Sequence, residues 1–158
     1  MLSIDKIISN NSYLDKLDLQ ITNLLDKYGL ILLRYSIGVV FIWFGGLKLF
    51  GKSPANDLVE NTIVFIPSEI FLPILGIWEV LIGMGLIIRR FNRIAIFLLF
   101  LQMPGTMLPL ILLPEVCYTT FPFVLTLEGQ YIIKNLVLIS GGIVIGGTVR
   151  NPSDDRFY

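Results

Sequence analysis

Between Leu30 and Phe50 the chain carries about twenty mostly apolar residues interrupted by only two charges, Arg34 and Lys48. Wound as a helix at about 1.5 Å per residue, such a stretch matches the roughly 30 Å hydrocarbon core of a bilayer. The interruptions are ordered. Arg34, Gly38, Phe41, Gly45 and Lys48 recur at helical spacing and fall on one stripe. Charges in a membrane helix face protein or water, and glycines let neighbouring helices approach. The stretch therefore predicts a span that turns this stripe inward and an aliphatic surface toward lipid.

Three further apolar blocks repeat the pattern, so spans are expected at about 30–50, 69–88, 94–113 and 130–149. In the second, Gly76, Glu79 and Gly83 share a face. The third has an inward stripe of Ala95, Gln102, Gly105, Thr106 and Pro109, and Pro104 and Pro109 each remove a backbone hydrogen bond and predict kinks. In the fourth, Asn135, Gly142 and Gly146 share a face, with Gly142 and Gly146 forming a GxxxG pair. Composition agrees: 15% of residues are charged, against about a quarter in a soluble domain. The expected fold class is an all-α integral membrane protein, a four-transmembrane-helix bundle over residues 29–150. It is flanked by an amphipathic segment, 1–28, and a cytoplasmic tail, 151–158.

Within the first segment Leu14, Leu17, Ile21, Leu24, Leu25 and Tyr28 lie on one face and Asp15, Lys16, Asp18, Asn23, Asp26 and Lys27 elsewhere. This predicts an amphipathic N-terminal helix on the membrane surface, separated from span one by Gly29. Between spans one and two, Ser53 as N-cap and Pro54 at the first helical position predict a short interfacial helix ending at Pro67. Lys6, Lys16, Lys27, Arg34, Arg89, Arg90, Arg93, Arg150 and Arg156 fall on one side of this arrangement; only Lys48, Lys52 and Lys134 lie toward the other. The basic side is the cytoplasmic one, so a multi-pass inner (plasma) membrane protein with both termini cytoplasmic is expected. The N-terminus lacks a basic start followed by an apolar run, so no cleavable signal is expected.

Several chemistries are excluded by composition. There is no histidine, which removes the usual haem ligand, the commonest transition-metal ligand and the usual neutral-pH proton shuttle. The lone cysteine, Cys117, rules out a thiol–disulfide couple within one chain and reads as a bystander. No haem or metal is expected, and a net charge of zero gives no reason to expect nucleic acid. The remaining polar groups converge. Lys48, Glu79, Glu128, Lys134 and Asn135 fall in the outer half of the predicted bundle, Gln102 near its middle and Arg34 near its inner surface. Two readings stand side by side: Lys48–Glu79 and Lys134–Glu128 as ion pairs fixing helix register, or all seven residues as candidates for an outward-facing polar pocket. Trp43, Phe44, Trp78, Tyr118, Phe121 and Phe123 read as interface anchors by default; a subset could instead wall a site for a flat amphiphile such as a quinone.

Arg34 opening the first span, Trp43-Phe44-Gly45-Gly46-Leu47-Lys48-Leu49 closing it and Gly76-Ile77-Trp78-Glu79 in the second resemble the DoxX-like membrane proteins. Leu125-Thr126-Leu127-Glu128-Gly129-Gln130-Tyr131-Ile132-Ile133-Lys134-Asn135-Leu136-Val137-Leu138 resembles the YkgB branch within them, which includes a reactive chlorine resistance protein of bacterial inner membranes. The resemblance covers roughly residues 30–148; Asn135 departs from it, standing where the family often has an acid. It implies a four-helix inner-membrane protein linked to oxidative or reactive chlorine stress, with relatives attached to membrane quinone oxidoreductases. The reading that follows is a redox accessory protein binding a quinone or small electrophile, partnered by the bilayer, by a second copy or by a membrane oxidoreductase. A carrier for a small anion or lipid, and a non-catalytic scaffold for a partner complex, are the alternatives. An autonomous enzyme is not expected.

Overall fold

The computed structural model describes residues 6, 8–63 and 65–150. The expected tail, 151–158 with Arg156, and the first five residues lie outside that range. Helix α1 runs Ser12–Leu49, α2 Asn56–Thr62 and α3 Ser68–Ile87. A 3₁₀ turn at Arg89–Phe91 leads into α4, Asn92–Met107, followed by α5, Pro109–Leu112, and α6, Pro114–Cys117. A small antiparallel hairpin, β1 Tyr118–Thr120 and β2 Val124–Leu125, precedes α7, Leu127–Ile133, and α8, Asn135–Thr148. Four helical stretches are long and apolar enough to cross a membrane: Ser12–Leu49, Ser68–Ile87, Arg89–Leu112 and Leu127–Thr148. Their outer faces are apolar, with Val39, Trp43, Ile77, Leu81, Phe97 and Val144 all exposed. A surface of this kind is stable against lipid rather than water.

Helix α1 departs from the expected two-part arrangement. Asn11 caps it, its side chain accepting from the backbone N–H groups of Tyr13 and Leu14, and it then continues unbroken for 38 residues, about 57 Å at 1.5 Å per residue. Gly29 lies inside it instead of ending it. A helix-interior glycine costs only about 1 kcal/mol relative to alanine, and the leucine-rich turns on both sides carry the helix across. What ends α1 is Gly51, whose φ of +66° admits a left-handed turn. There the N–H of Lys52 donates to the Leu47 carbonyl and that of Gly51 to the Lys48 carbonyl, the paired bonds of a Schellman cap. Lys48 thus sits in the last turn, beside the negative end of the helix dipole.

Helices α1 and α3 run antiparallel and share the most extensive packing in the bundle. The reason is a matched pair of glycines on each. A Cβ at Gly45 would stand 2.6 Å from the Gly76 carbonyl oxygen, and one at Gly83 would stand 2.5 Å from that of Gly38. Both pairs are seven residues apart in sequence, so the two contacts recur after two helical turns. Backbones touch at both crossings. The core beneath them is formed by Ile37, Phe41, Ile82, Leu86, Leu99 and Ile145 with Ala95 and Met103.

The proline breaks fall differently. Leu108 separates α4 from α5 immediately before Pro109, whose missing N–H cannot continue the ladder, whereas Pro104 is carried inside α4. Pro73, likewise inside α3, had no place in the sequence reading. Ser53 and Pro54 form the turn ahead of α2, which begins at Asn56 and ends at Thr62. On α8 the tight small residue is Gly141, packed on Ile37 of α1. Gly142 and Gly146 meet Leu99 and Ile96 of α4 at ordinary contact distance inside the bundle, so this pair is not an exposed helix-pairing face.

Candidate functional site

The close approach of α1 and α3 brings Lys48 and Glu79 together. Lys48 Nζ donates to Glu79 Oε2 at 2.7 Å, and both residues are buried, 6% and 7% exposed. The other carboxylate oxygen, Oε1, accepts from Gln102 Nε2 of α4 at 3.0 Å. Three helices therefore contribute one charged or polar side chain each to a single carboxylate. Charge is neutralised within the cluster, as burial of ions requires.

The cluster lies on the wall of a cavity of about 410 Å³. Most of the wall is apolar: Phe41 and Phe44 of α1, Phe71 and Trp78 of α3, Leu101 and Met103 of α4, and Ile132 and Leu138 from the fourth span. One side is closed by α2 through Leu58, Val59 and Thr62. Tyr131, Thr106 and Asn135 add polar groups, and Phe44 meets Tyr131 edge to face with centroids 5.8 Å apart. A largely apolar cavity with a few convergent polar groups, and a volume of about 300–1,000 Å³, is the usual form of a small-molecule site.

Of the seven candidate residues, Lys48, Glu79, Gln102 and Asn135 reach this cavity. The other three do not. Arg34 is buried near the middle of α1, about four turns before Lys48, its guanidinium carbon 5.3 Å from the centroid of the Tyr35 ring. Glu128 and Lys134 are exposed, and no ion pair joins them among the described residues; six positions apart across the break at Lys134, they do not share a helical face. Phe44 and Trp78 wall the cavity, while Trp43, Phe121 and Phe123 remain exposed. Tyr131 was missed, although its placement four residues before Asn135 puts it on the same face. The contribution of α2 was missed too, and no local pattern announces it. Among the described residues no group of histidine, cysteine and carboxylate side chains could hold a metal ion.

Cys117 is enclosed beneath the hairpin. Its carbonyl accepts from the Thr126 N–H, and a Cβ on Gly129 would overlap that carbonyl. Burial, reinforced by the Glu128 and Glu115 carboxylates, pushes its thiol above the ordinary value. The neutral thiol is thus favoured in the fold; its contribution to stability is complete below the ordinary cysteine pKa and is lost as pH rises through the higher folded value. A water-soluble maleimide is expected to label Cys117 negligibly at neutral pH in the folded protein and fully after denaturation. Rapid labelling of the folded protein would contradict this enclosure.

No protein-family model, curated protein or solved structure matches this chain.

Proposed function

We propose that the protein is a membrane-embedded binding protein for a quinone or similar small amphiphile, acting as an accessory to redox chemistry carried out by a partner. One observation carries this reading: a neutral Lys48–Glu79–Gln102 cluster on the wall of an otherwise apolar, aromatic-lined cavity. Burying an ion pair is a poor route to stability on its own, whereas a ligand with a polar head and an apolar body uses both parts of such a wall. The same neutrality speaks against a small-anion carrier, because Glu79 already neutralises Lys48, the one cation lining the cavity among the described residues. The basic residues on the α3–α4 turn, Arg89, Arg90 and Arg93, support a cytoplasmic position for that end and an outward position for the cavity. The link to oxidative or reactive chlorine stress rests on the motif resemblance.

Purification in mild detergent, followed by mass spectrometry of the organic extract, tests the reading. A lipophilic ring compound is expected near one molecule per protein. In the charge-neutral double variant Lys48→Met with Glu79→Gln it is expected to fall at least about tenfold, the loss of roughly one good polar contact. Equal recovery from the variant, or no such compound from either protein, would contradict it.

A further inference from the structure

We infer that the ligand of this cavity bears a hydroxyl head group, donated to the side-chain oxygen of Gln102; this rests on the binding reading above and adds the chemistry of the head. The Glu79 carboxylate fixes the orientation of the Gln102 amide. An ionised carboxylate only accepts, so the amide must turn its N–H₂ toward Glu79 Oε1 and its oxygen away. That oxygen is enclosed and has no hydrogen-bond partner among the described residues, and Gln102 is only 8% exposed on the cavity wall. A buried acceptor in this state calls for a donor.

The neighbouring lysine narrows the choice. Lys48 spends one N–H on Glu79 and retains donors for an incoming oxygen. Lys48 and Gln102 hold different oxygens of the same carboxylate, Oε2 and Oε1, and both residues line the cavity. A hydroxyl donates to Gln102 and accepts from Lys48. A ketone, ester or ether serves Lys48 alone and leaves the Gln102 oxygen unsatisfied. A carboxylate adds negative charge beside Glu79, and an ammonium adds positive charge beside Lys48. Of a quinone couple, the reduced member with its phenolic hydroxyls is therefore the tighter ligand.

The test compares para-octylphenol with its methyl ether by calorimetric titration of the full-length protein in detergent. The ether is the more apolar molecule, so partition into micelles works against the expected result. Wild-type protein is expected to bind the phenol at least about tenfold more tightly, the worth of one buried hydrogen bond. In Gln102→Met, with an unchanged thermal midpoint as the check on folding, the preference is expected to shrink below about twofold. A long-chain alkanol separates the two sources of a hydroxyl: affinity near that of the phenol assigns the site to aliphatic alcohols, and much weaker binding assigns it to aromatic ones. Equal binding of phenol and ether to wild-type protein overturns the hydroxyl assignment while leaving the binding site standing. Binding of neither molecule overturns both.

Discussion

Lys48→Met alone is expected to lower stability by about 3–5 kcal/mol, the usual cost of leaving one partner of a buried ion pair uncompensated. Glu79 would remain inside the bundle, 7% exposed, with the Gln102 amide as its one remaining partner among the described residues. The double variant Lys48→Met with Glu79→Gln removes both charges and is expected to recover most of that loss, since a neutral replacement of a buried pair is often nearly free of cost. The coupling between the two substitutions, read from thermal unfolding of the four proteins in one detergent, is the decisive quantity. Additive effects would mean that the two side chains do not share a buried contact.

The second large effect concerns the backbone contact that places this pair. Gly83→Val is expected to destabilise by about 3 kcal/mol or more, at the upper end of the range for overpacking, because its Cβ would meet the Gly38 carbonyl and the Ile42 backbone nitrogen. Neither neighbour is a flexible side-chain end, so α1 and α3 must separate. Gly46→Val is the control: nothing lies within 4 Å of its added Cβ. Thermal midpoints of the two variants should differ widely. Similar midpoints would show that the helices do not approach at Gly38 and Gly83.

These two effects also show what a sequence can and cannot display. The stripe Arg34, Gly38, Phe41, Gly45 and Lys48 is buried throughout, as are Gly76, Glu79 and Gly83. Such stripes are legible because a single helix has one period and charge is costly against lipid. The pairing of Gly38 with Gly83 and of Gly45 with Gly76 was not legible, since the register between two helices belongs to their tertiary contact. Lys134 shows the same limit. It shares a span with the inward Asn135, yet one residue of rotation, about 100°, leaves it exposed. The role of α2 as a cavity wall depends on the path of the α1–α3 loop, and a seven-residue helix has too few turns to declare a buried face. Gly29 misled for another reason: local propensity is a weak prior, and strong helix formers on both sides outweigh it.

The most direct measurement exploits the two tryptophans, one on the cavity wall and one facing outward. In Trp43→Phe protein only Trp78 emits, and titration with a short-chain benzoquinone should quench it along a saturable curve that para-octylphenol reverses. In Trp78→Phe protein the remaining Trp43 should show only linear, unsaturable quenching. Saturable and reversible quenching confined to Trp78 is the predicted result; identical linear quenching of both tryptophans would contradict a ligand site built on Lys48, Glu79 and Gln102.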